Sequence, residues 1–240
     1  MPRKKSFKYD FSDLVTEYNE DLHNEIKAKI NIRLVKNFKD GWSAFIENNE
    51  AIITYKKTDY PDACYAHELL HIKYELNGLV APMIKDDEGV IDIMPLIFNQ
   101  LCHHKFYQEF YDMGFNEDEF LNDNDATEIQ YLAKRDIKLL EDTFSDSGII
   151  QGSTALLLPY IMLKSPHDNT ESTKGFIERF KRIGDNNFFS TIDTILSDWR
   201  NENTLDSSLT FARIFKACNR PRVGFCISGK EEDVIVAGNI

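Results

Sequence analysis

Between residues 10 and 39, Leu14, Val15, Tyr18, Leu22, Ile26 and Ile30 recur at spacings near 3.6 with charged residues between them, which predicts a helix. The period then changes. Two β-prone runs, Trp42–Ile46 and Ala51–Tyr55, flank Glu47-Asn48-Asn49-Glu50, and asparagine tolerates the positive φ that a tight hairpin turn needs. A second helix is expected from about Asp59–Asp62, with Asp59 or Asp62 as cap and Pro61 in the first turn, to the stop signal Asn77-Gly78. Val80–Asp92, with Pro82, Gly89 and several acids, reads as a loop. A long helix should follow over roughly Ile93 to Met113 and stop at Gly114. Asp125-Ala126-Thr127-Glu128 is a capping-box pattern before a helix to about Phe144. Further helical stretches lie near 153–163, 172–183, 187–201 and 207–218, followed by short β-prone runs at Val223–Ile227 and Val234–Val236.

This order of elements predicts an α+β protein, mostly helical, with a small sheet or hairpin ahead of the helix at about 59–77. A chain of 240 residues is one large domain or two small ones. The acidic stretch Asn116–Asp125 is the best candidate boundary. It separates a region 1–115 from a helical region 116–240 that should pack as part of the same globular unit.

Charge and cysteine usage narrow the partners. Lys plus Arg number 28 and Asp plus Glu 40, and the resulting net charge of −12 repels nucleic acid and anionic lipid at long range. Cys64, Cys102, Cys218 and Cys226 are scattered, with no CxxC pair, so neither a disulfide framework nor a cysteine zinc site is expected. Reduced, buried thiols suit the cytoplasm. The start MPRKKSFKYD is basic but lacks the apolar stretch of a secretory signal. The longest apolar run, Ala155–Leu163, is too short for a membrane span and contains Pro159.

One motif carries chemistry: His67-Glu68-Leu69-Leu70-His71, an HExxH inside the second predicted helix. Residues four apart on a helix share a face, so two imidazoles can converge on one zinc ion. The carboxylate of Glu68 is then placed to reach a zinc-bound water, take its proton and pass it to a leaving amine. That is the chemistry of a metal-dependent hydrolase, usually a peptidase.

With this motif, and with the order hairpin, AHELLH helix, loop, second helix, the segment at about 42–115 resembles the HExxH zinc metallopeptidases (zincins). The nearest general likeness is to the small cytoplasmic ImmA/IrrE-like group. The resemblance implies a zincin-like core, zinc on His67 and His71, Glu68 as general base, and a regulatory protein as peptide substrate. The chain departs from two branches of that superfamily. After His71 it reads IKYELNG, without the glycine and third histidine of the metzincins, and the Asn-Glu signature of many gluzincins is missing.

The third ligand must come from elsewhere. Glu75 lies on the same helix, but the rise from His67 is about 12 Å, too far for ligand bonds of about 2 Å. The helix at 93–113 offers Cys102-His103-His104. There Phe98, Cys102, Phe106, Phe110 and Met113 define an apolar face bordered by Asn99 and His103, whereas His104 groups with Gln100 and Gln108 on a polar face. His103 is therefore the expected third ligand, with His104 or an acid such as Glu109 as the alternatives. Asn99 could orient a ligand, and Tyr107 could donate to an oxyanion; packing roles suit both equally or better. Cys64 and Cys102 read as small buried hydrophobes. His23, His167 and the Arg220-Pro221-Arg222 spot read as solvated, and Gly148–Gly152 matches no nucleotide-binding pattern.

The sequence thus predicts a zinc-dependent peptidase acting on a protein or peptide, its metal on His67, His71 and His103 and its general base Glu68. Two readings compete with it: an inactive zincin-like binding or regulatory module, and a metal-dependent hydrolase of a non-peptide bond. Oligomeric state is not legible.

Overall fold

The computed structural model describes residues 7–37, 41–85, 90–120, 138, 154–164, 171–227, 230 and 232–240. It is α+β and mostly helical. The chain divides into two compact units, one of residues 1–77 and 106–126 and the other of residues 78–105 and 127–240.

The first unit opens with a short helix α1 (Phe11–Leu14). Asp10 caps it, accepting from the Ser12 amide at 2.8 Å while Asp13 accepts from the Asp10 amide at 2.9 Å. Helix α2 (Glu20–Lys29) buries Leu22, His23 and Ile26. The helix expected over 10–39 stops at Lys29. Ile30 is extended, and Asn31–Lys36 forms strand β1. The cause lies outside the segment: β1 pairs in parallel with strand β3 (Glu50–Tyr55), with Leu34 opposite Ile53. A run rich in branched residues with a strand partner beside it is better satisfied in a ladder than in a helix.

Strand β2 (Ser43–Glu47) pairs antiparallel with β3, giving the order β1-β3-β2. Asn48 and Asn49 take φ of 50° and 59°, the left-handed turn expected of the hairpin. The central strand buries Ala51, Ile52, Ile53 and Tyr55, while the edge strand β2 alternates between exposed and half-buried positions.

Helix α3 (Pro61–Leu76) begins with proline in its first turn and ends before Gly78 at φ 101°. No side chain caps its N-terminus, so neither Asp59 nor Asp62 has the capping role expected of one of them. The start is fixed from elsewhere: the Asn19 side chain donates to the carbonyls of Leu14 at 2.9 Å and Asp62 at 3.0 Å. Residues 63–70 of α3 are all buried, so the helix is enclosed on every side rather than amphipathic.

Helix α4 (Met94–Asp112) is continuous across the division of the chain; the part through Lys105 belongs to the second unit and the remainder to the first. It ends before Gly114 at φ 103°, and a short helix α5 (Glu117–Phe120) follows.

In the second unit, strands β4 (Met83–Ile84), β5 (Gly224–Cys226) and β6 (Ile235–Val236) form an antiparallel sheet in that order. Helices α6 (Thr154–Leu163), α7 (Glu171–Ile183), α8 (Asn186–Asn201) and α9 (Ser208–Ala217) lie within two residues of their expected bounds. Asp185 caps α8, which buries Phe188, Phe189, Ile192, Ile195, Leu196 and Trp199 along one stripe. The Trp199 indole donates to the Leu101 carbonyl at 2.8 Å, and the Lys105 ammonium lies 4.0 Å from the centre of its ring. The capping box at 125–128, its helix to Phe144 except Lys138, Gly148–Gly152 and His167 lie outside the described residues. All four cysteines are buried thiols outside any disulfide. Among the described residues, no helix is long and apolar enough to cross a membrane.

Candidate metal centre

Helix α3 sets His67 and His71 one turn apart. Their rings stack with centroids 5.1 Å apart and planes 25° apart, and the two Nε2 atoms are 3.2 Å from each other. His103, on α4, completes the group: the ligand atoms of the three histidines all lie within 4.8 Å of one another. His67 and His103 are buried and His71 is half-buried. This buried group of three histidines could hold a metal ion.

The pair on α3 has the spacing such an ion requires. Two nitrogens on a tetrahedral zinc at 2.0–2.1 Å should stand roughly 3.3 Å apart, and the pair on α3 stands at 3.2 Å. The orientation of His67 is also set. Its Nδ1 lies 3.3 Å from the Phe120 carbonyl, which can only accept, so Nδ1 carries the proton and Nε2 presents its lone pair. Sequence reading missed this contact, because a main-chain carbonyl leaves no residue-type signal.

The surroundings keep the two imidazoles on α3 neutral, the form that binds metal. Phe120 lies 4.5 Å from the His67 ring, ring centre to ring centre; Phe106 lies 5.6 Å from His67 and 4.8 Å from His71. Phe106, Phe110 and Phe120 are themselves almost fully buried. Burial in this aromatic wall pushes the His67 imidazole down to about 4, against a smaller opposing pull from the Phe120 carbonyl. His71 falls well below its ordinary value, first through burial and then through the neighbouring His67 charge.

Glu68 follows His67 on α3 and is also buried, at 5% exposure. The acid weighed as an alternative ligand, Glu109, pairs with Lys73 at 2.5 Å, and Lys73 lies 3.4 Å from Glu25. That bridge ties α2, α3 and α4 within the first unit. Glu75 is half-buried, and burial raises its pKa. Cys64 and Cys102 are buried thiols, Asn99 is half-buried, and Tyr107 packs edge-on against Tyr111 at 5.6 Å.

Two histidines differ from expectation. His104 does not face solvent: it is 1% exposed, and its Nδ1 lies 3.1 Å from an Arg200 guanidinium nitrogen. All five residues from Gln100 to His104 are buried, so the face that the helical wheel assigned to His104 is enclosed at Gln100 and His104 and reaches solvent at Gln108. His23 is buried as well, its Nδ1 2.8 Å from the Tyr65 hydroxyl, and burial lowers its pKa.

No family model, curated protein or solved structure matches this chain.

Proposed function

We propose that this protein is a zinc-dependent peptidase of zincin-like, ImmA/IrrE-like character, working in the cytoplasm on a protein or peptide substrate. The observation that carries the reading is the meeting of His67, His71 and His103 beside a buried glutamate in an HExxH helix. Zinc bound there would supply a Lewis acid that makes water a nucleophile near neutral pH. The chain's own part is then defined. His67, His71 and His103 would hold the ion, with the His67 ring oriented by the Phe120 carbonyl. Glu68 takes a proton from the attacking water on its carboxylate and returns it to the leaving amine. Phe106 and Phe120 exclude bulk water from the two imidazoles on α3. Among the described residues β2 is an edge strand of its sheet and suits an extended peptide added by strand pairing.

A second reading rests on burial. His67, Glu68 and His103 are each less than one-tenth exposed, which also suits a closed metal site that stabilises a binding module. Peptide hydrolysis separates the two. Zinc-loaded protein should cleave a mixed peptide library, with products resolved by mass spectrometry. Glu68→Gln should keep the metal and lose at least about 100-fold in rate, as expected when a general base is removed. A metal-replete protein that cleaves nothing, or that cleaves equally well as Glu68→Gln, would leave the closed site as the better account.

A further inference from the structure

The second unit holds a surface groove of about 590 Å³ that the metal chemistry does not use. One stripe of α8 forms one wall, with Thr191, Thr194 and Ile195 at helical spacing. A stripe of α9 forms the other, with Leu209, Arg213, Lys216 and Ala217, and Ile240 closes an end. Leu209 and Ile240 are exposed at 44% and 38%, so the groove presents apolar surface to solvent. The cations sit together on α9, in a chain whose net charge is −12. Arg213 donates to Asp198 at 2.6 Å through one of its five N–H groups, and the Lys216 side-chain ammonium has no hydrogen bond or ion pair with any described residue.

An apolar trough with an uncompensated ammonium selects a ligand of matching polarity. The volume lies in the range of small-molecule sites rather than of extended interfaces. We propose that this groove binds a small amphipathic carboxylate, its aliphatic chain along Ile195, Leu209 and Ile240 and its carboxylate on Lys216 and Arg213. The threonine hydroxyls donate to carbonyls of their own helix, Thr191 to Asn187 at 2.7 Å and Thr194 to Ser190 at 2.9 Å. The α8 wall therefore offers their methyl groups to the chain.

Isothermal titration calorimetry of the full chain tests this with decanoate, 1-decanol and decylamine, each below its aggregation limit. Decanoate should bind once per chain and more tightly than the other two. Lys216→Glu should weaken decanoate about two- to fivefold, the scale of a partly exposed ion pair, and leave decanol unchanged. Thr194→Trp, at an exposed position, should fill the groove and remove binding of both, with an unchanged melting temperature as the control for folding. Equal affinity for decanoate and decanol, binding that survives Thr194→Trp, or no binding of decanoate to the wild type would each overturn the proposal.

Discussion

Among single residues, burial sets the protonation of the histidines at the metal centre. His67 titrates at about 4 in the folded chain against an ordinary 6.5. The folded state thus binds fewer protons than the unfolded state between those values. Its contribution is fully present above about pH 6.5 and is lost as pH falls toward 4, a loss of roughly 3 kcal/mol in metal-free protein. His71 and His23 shift in the same direction, each mainly through burial. Urea unfolding of chelator-treated protein should therefore show stability falling steadily from pH 7 to pH 5. A flat profile over that window would show that these rings are not held neutral. Phe106, fully buried against His67 and His71, supplies much of the low-dielectric wall. Phe106→Ala should cost about 3–5 kcal/mol, and the acid-sensitive slope should shrink as water reaches the imidazoles.

At the scale of elements, legibility followed how local the determining forces are. The hairpin was readable because Asn48 and Asn49 supply the positive φ of the turn themselves. Replacing Asn49 with valine should cost about 1–2 kcal/mol, because a branched side chain is strained there; circular dichroism melts of the variant would show it. Helices α3 and α4 were readable from a first-turn proline in one and glycine stops in both, and α6 to α9 from periodicity. Strand β1 was not, because its ladder partner, β3, lies beyond an intervening strand. The side-chain anchor at the start of α3 was not, because Asn19 donates to the Asp62 carbonyl from 43 positions away. The burial of His104 was not, because a helical wheel registers polarity but not what encloses the helix. His67-Glu68-xx-His71 was legible as a motif and His103 as its partner, whereas the Phe120 carbonyl that orients His67 was silent in sequence.

At the scale of the whole molecule, the chain leaves its first unit after Asn77, builds part of the second, and re-enters the first along α4. That interleaving comes from long-range contacts and leaves no composition change at residue 77 or 105. A metal held by ligands from two helices should stabilise the folded chain by mass action: at 100-fold excess over its dissociation constant, by about 2.7 kcal/mol. A chelator should accordingly lower the melting temperature, and zinc should restore it. An unchanged melting temperature on chelation of a metal-replete sample would contradict that coupling. Elemental analysis of the purified wild type beside His67→Ala, His103→Ala and Glu68→Gln decides whether the three histidines hold a metal. One zinc per chain is expected in the wild type and in Glu68→Gln, with loss of the metal in both histidine variants. Zinc retained in His103→Ala, or no metal in the wild type even after reconstitution, would contradict it.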